Sequence, residues 1–412
     1  MSRRFPFEPM LAALVILGLG VVTLRFHATG HLPHPFQSPP AESFMDFYNT
    51  AFWANRPGAY SLWHSVYPPL SFVFLRLFTA PACFGATPYF ARQCDLGAIG
   101  SILVFYLANI GLVFLSFRRA NPRSAVCRTI ALCAGLPMLY GLELGNLIIP
   151  SFTLFALAEG GLIRSRLLRQ AFVAAAINLK PYLLVIVAPQ IVRRRWRWLF
   201  GVGVAGLLIY AVTLALEGAG SPLDIVTDLI IYTHGEPDLF ARNNHLAAIS
   251  SRGLGLWNEA FPAFFRLGQI GVAACYLAAV VRPRCLRLGR LNILTLTLIS
   301  SEGMLHTQGY SADYTEIFFL FLIFIGRWRG PVGLTILASS YLLCCALDVD
   351  LATAARSTAI SFLSGRTVVA DFTVSVSQFL RPALFLVVQY GLILLFAQDF
   401  RQAVKSRPLL QP

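Results

Sequence analysis

Apolar residues run through this chain in blocks of about 20, long enough to cross a ~30 Å hydrocarbon layer as helices. A membrane barrel needs alternating segments of about ten residues with a polar lumen face, and the sequence has none. The pattern predicts an all-α polytopic bundle of about twelve spans forming a single integral membrane domain over residues 1–412. The first span covers Pro9 to Leu24. A loop over 25–65 follows, and Phe44 to Ala54 within it suits an interfacial helix. Val66 to Ala80 re-enters behind a Pro pair. Spans follow at Leu96 to Phe117, Ala125 to Leu142, Leu147 to Ile163, Ala171 to Val192 and Leu199 to Leu216. A second long loop covers 217–261. The C-terminal spans of 262–412 fall near 262–281, 290–305, 314–326, 331–347 and 379–397, with Asp348 to Gln378 read as a loop holding one short amphipathic helix.

Charge raises a conflict. Arg3 and Arg4 place the start of the chain on the cytoplasmic side. Counting every apolar run as one crossing then puts the basic runs RRANPR and RSRLLR outside and RRRWRW inside, whereas the positive-inside rule puts all three inside. A broken, re-entrant segment at 66–80 or 171–192 removes the conflict. Counting is preferred, because it leaves both long loops on one face.

Composition agrees with a membrane protein: 57% of residues are hydrophobic and 13% are charged, against roughly 25% charged in soluble domains. The formal charge of +14 comes from short basic runs at span ends, which suits anionic lipid and not nucleic acid. Most of the eight cysteines lie in apolar segments and read as small core residues; Cys83 and Cys94 pair only if their loop faces an oxidising compartment.

Ionisable groups near or within spans mark the candidate chemistry. Asp46 opens an aromatic band that ends in Tyr67-Pro68-Pro69; it is either a general base for a hydroxyl or a helix N-cap. Lys180, between Asn178 and Pro181, is either a phosphate contact or a snorkelling lysine. Glu143 and Asn146 in GLELGN either bind a sugar or satisfy a turn. Arg242, Asn243, Asn244, His245 and Arg252 gather in ARNNHLAAISSR, as an anion site or as a solvated amphipathic helix. His306 and Asp313 lie at the mouth of a later span, where His306 is either an acid or base or a satisfied interfacial residue. No set of residues shows metal-ligand spacing, and no glycine-rich phosphate loop appears.

The order DFYNTAFW, YPPL, GLELGNLI, NLKPYLL…RRRWRW and ARNNHLAAISSR resembles the integral-membrane glycosyltransferases of the GT-C superfamily, and within it glycosyltransferase family 87. That family includes polyprenol-phosphate-mannose-dependent α-1,2-mannosyltransferases. The likeness covers about residues 40 to 320. The stretch ISSEGMLHTQGYSADYTE departs from the family's Ser-Pro-x-Ser-Trp-x-His segment. The resemblance implies a polyprenyl-phosphate sugar donor, a lipid or glycan acceptor, no metal or other cofactor, and Asp46 as catalytic base. Tyr67, Glu143, Asn146, Lys180, the second-loop residues, His306 and Asp313 are the binding candidates. It also implies a bacterial plasma-membrane enzyme working on the extracytoplasmic face. A transporter or flippase for a lipid-linked sugar is the competing expectation, although no symmetry between halves is visible. The enzyme reading requires Asp46, Lys180 and the Asn243 to Arg252 loop to line one cavity.

Overall fold

A computed structural model describes residues 7–36, 39–217, 223–224, 226–228, 230, 255–281, 289–306 and 314–405. The chain is mostly helical. Six helices among the described residues are long and apolar enough to cross a membrane: α1 (Phe7–Thr29), α5 (Leu96–Ala120), Ala125–Glu143, α11 (Trp196–Glu217), Ala260–Val281 and Ser377–Lys405. Shorter apolar helices are α8 (Ile148–Glu159), Pro181–Val192, Glu316–Ile325 and Gly330–Cys344. The long helices on the rim are almost unburied: only 11% of the apolar window of α11 lies inside the protein, and Phe200 and Leu207 are 74% and 73% exposed. Apolar surface on that scale is stable only against a nonaqueous neighbour.

The core sits on the helix Glu316–Ile325, whose residues are nearly all buried. Its Phe318 and Phe321 meet Phe152 and Phe155 of α8 at centroid distances of 5.1–6.0 Å. Two polar sets inside this core are paired. Asn109 donates to the Ile149 carbonyl (3.0 Å) and accepts from Thr153 (2.7 Å). Arg381 pairs with Glu316 at 3.1 Å with both side chains buried. Each partner satisfies a group that is costly to bury alone.

Contacts between helix ends sort the chain into two ends. At one end Glu8, which opens α1, meets Arg128, and Asn121 beyond α5 donates to the Ile325 carbonyl. Ser116 of α5 lies beside Gly160, just past α8. Arginines of RSRLLR and of RRRWRW face one cleft there with Glu159. The three basic runs therefore share an end, and the counting-based expectation that RRRWRW lies opposite the other two is corrected. Two misreadings cancel. The run 66–80 forms only the eight-residue helix α3 (Pro69–Arg76), which stays at the far end, where Arg76 meets Glu217. The run 171–192 is two passes: α9 (Arg166–Leu179) climbs to Lys180, and Pro181–Val192 returns as a 3-10 turn followed by α10 (Ala188–Val192). Pro181 cannot donate the next helical bond, so the break falls there.

The stretch Asp348 to Gln378 is also corrected. It is an antiparallel hairpin of β1 (Asp350–Ile360) and β2 (Thr367–Ser375), paired from Asp350↔Ser375 to Ile360↔Thr367. The β-branched run in TVVADFTVS favours a strand over a helix, and Gly365 supplies the positive φ of the turn.

Candidate active site

The short helix α2 (Met45–Ala54) lies where an interfacial helix is expected and carries Asp46 in its first turn. Main-chain bonds lash its start to the GLELGN turn after α7 (Leu136–Glu143): Phe44 N–H donates to Glu143 (2.8 Å) and Asp46 N–H to Leu144 (3.2 Å). The approach needs Gly145, whose φ is +66° and whose added Cβ would lie 3.0 Å from Phe47 Cβ. Asn146 completes the joint. Its amide donates to Asp46 Oδ2 at 2.6 Å, while its Oδ1 accepts from Ile148 N–H at the start of α8. One carboxylate oxygen is thus fixed, and Oδ1 of the half-buried Asp46 takes no hydrogen bond from a described residue. Asp46 is not an N-cap; Phe44, in a left-handed conformation, holds that position with no side-chain cap bond.

Lys180 stands opposite. It is buried (4% exposed), at the end of α9, with its ammonium 3.3 Å from the Tyr67 hydroxyl and 4.6 Å from the ring centre. Ser71 of α3 holds the broken end by donating to the Leu179 carbonyl. Asn178 donates to Gly206, about halfway along α11, so Lys180 lies well inside the molecule and does not snorkel to an edge. Lys180 and Asp46 attract one another without a direct ion pair. Burial pushes the Asp46 carboxyl above its ordinary range; the Asn146 bond and the Lys180 charge pull it down, but less.

Four predicted residues therefore meet: Asp46, Tyr67, Asn146 and Lys180. Glu143 is buried beside them but turned aside, its Oε1 accepting from Ser43 at 2.8 Å. Arg242, Asn243, Asn244, His245, Arg252 and Asp313 lie outside the described residues, as does the cavity expected between Asp46 and the second loop. His306 ends the helix 289–306, and its side chain is likewise outside them. Sequence reasoning missed Ser43, Ser71 and Arg92. Arg92 donates to the Ala41 and Ser43 carbonyls (2.7 and 2.6 Å) and lies 4.0 Å over the Phe362 ring, tying the loop to the hairpin. These are isolated polar residues with no motif around them, so the sequence carries no signal for them; the burial of Arg92 emerges only in the fold. Cys83 and Cys94 in the same loop are joined as a disulfide.

No family model matches the chain, and no curated protein does.

Proposed function

We propose that the protein is a membrane glycosyltransferase that uses a polyprenyl-phosphate sugar, mannose-like in class, and resembles glycosyltransferase family 87. The observation that carries this reading is a buried lysine whose charge acts on an oriented carboxylate, one oxygen of which takes no hydrogen bond from a described residue. Asp46 Oδ1 takes the proton of an acceptor hydroxyl as that oxygen bonds the anomeric carbon. The bond from that carbon to the phosphate oxygen breaks on the opposite face, so configuration inverts. The leaving lipid phosphate carries the negative charge away beside Lys180, where a buried cation stabilises it more strongly than one in water.

The membrane arrangement follows from the same reading. Replacing the 66–80 crossing by the two passes that meet at Lys180 keeps the total at about twelve spans. Positive-inside then holds at all three basic runs, with the Asp46 end facing away from the cytoplasm of a bacterial plasma membrane. The Cys83–Cys94 bond suits that oxidising side.

The broken helix at Lys180-Pro181 also favours a second reading, since transporters place such breaks at their binding sites. Vesicles of the purified protein separate the two. With acceptor present, covalent transfer of sugar from a polyprenyl-phosphate-mannose donor is expected. Donor crossing the bilayer with no transfer would replace the enzyme reading by the transporter one.

A further inference from the structure

The cleft at the basic end has no part in this chemistry. It measures about 700 Å³ and is lined, among the described residues, by three arginines of the 164–169 run and four of the 193–197 run, against one carboxylate, Glu159. Arg169 reaches that carboxylate at 3.6 Å, and Arg195 reaches Gln190 at 3.5 Å. The side chains of Arg164, Arg166, Arg193, Arg194 and Arg197 make no hydrogen bond or ion pair with a described residue. Like charges gathered around a hollow repel one another, and an anion inside relieves that repulsion.

The backbone adds an independent sign. The turn from α10 to α11 closes with Arg194 N–H donating to Ile191 and Arg195 N–H to Gln190, the pattern of a helix stop whose left-handed residue is usually glycine. Here that residue is Arg194, at φ +53°. An arginine where glycine fits better puts a charge at the cleft at some cost in backbone strain.

The surroundings identify the anion's carrier. Trp196 lines the cleft and is exposed, Phe200 is exposed one turn further along α11, which continues as apolar rim, and Leu167 and Ile191, each close in sequence to lining residues, are exposed as well. A ligand with a charged head and long apolar tails satisfies both features, whereas a small soluble anion uses only the first. We propose that this cleft seats the phosphodiester headgroup of an anionic phospholipid, with its acyl chains lying along the start of α11. The planar fork of arginine suits phosphate oxygens, and basic pockets between membrane helices offer such headgroups a recognised kind of seat.

The test uses the full-length protein in a neutral detergent, with phosphatidylglycerol as probe and lipid retention read by native mass spectrometry alongside Tm. Phosphatidylglycerol is expected to be retained and to raise Tm, while phosphatidylcholine and glycerol 3-phosphate at equal concentration do neither. The pair Arg166→Gln with Arg197→Gln weakens retention by roughly tenfold or more, whereas Arg118→Gln with Arg119→Gln, exposed at the same end on α5, leaves it unchanged. Arg194→Gly separates binding from folding: it raises Tm without lipid and still weakens retention. Equal loss from both double variants, equal retention of phosphatidylcholine, or equal stabilisation by glycerol 3-phosphate would each overturn the proposal.

Discussion

The two ends of this molecule handle charge in opposite ways. At the Asp46 site, charges are individually held: Asn146 fixes one carboxylate oxygen, Tyr67 lies against the Lys180 ammonium, and Ser71 holds the helix end that carries the lysine. At the basic end, seven arginines share one cleft and most pair with no charged group among the described residues. A fixed pair of opposite charges suits a reaction in which charge moves from one atom to another. A loose field of one sign suits topology and lipid contact, where orientation matters little. Substitutions at the first end should therefore change rates, and those at the second should change lipid binding.

Lys180→Ala should give a large loss, about 10²–10³-fold in transfer rate, if the lysine stabilises the leaving phosphate. Lys180→Arg should recover part of it. Steady-state transfer in membranes measures both, and unchanged rates would remove the lysine from the mechanism. Asn146→Ala should cost roughly tenfold or more, within the range expected for a disturbed acid–base group. Its pH profile is the sharper readout. Transfer needs the Asp46 carboxylate charged, so the rate falls as pH drops through its pKa. That limb should lie above the ordinary carboxylate range, because burial outweighs Asn146 and Lys180. Without the Asn146 bond it should move to still higher pH; movement to lower pH would contradict the electrostatic account.

Gly145→Ala should lower stability by about 1–3 kcal/mol, because a side chain at φ +66° is strained and meets Phe47 and Phe44. Thermal unfolding in detergent checks this, and an unchanged Tm would mean that the α2 joint is looser than its contacts indicate. The smallest effect belongs to the arginine cleft. Arg166→Gln with Arg197→Gln should leave transfer rates within about twofold in membranes of fixed composition, as exposed charges remote from the chemistry do. A loss as large as that from Lys180→Ala would join the two ends functionally and end the contrast drawn between them.

The helices were legible because apolar blocks declare themselves. Leu96 to Phe117 and Leu199 to Leu216 fall within helices 96–120 and 196–217. Direction was not legible, because it depends on breaks. The Pro pair before α3 and the Lys180-Pro181 step look alike in sequence, yet one starts a helix that stays at one end and the other divides two passes. The polar content of 348–378 masks the hairpin, whose local strand signal is only the short β-branched run Thr367 to Val369. At the site, residue chemistry marked Asp46, Asn146 and Lys180. Their meeting was not in the local pattern, since Asp46 and Asn146 lie 100 positions apart and come together through main-chain bonds at 44 and 46.

The central claim is that Oδ1 of Asp46 accepts a proton during sugar transfer. Asp46→Asn, purified and compared with the wild type in a single-turnover transfer assay, tests it most directly. The account predicts a folded protein whose Tm at neutral pH is equal to or above that of the wild type, since an uncharged group replaces a desolvated carboxylate, together with a transfer rate about 10²–10⁴-fold lower. A folded variant that transfers sugar at the wild-type rate would contradict it.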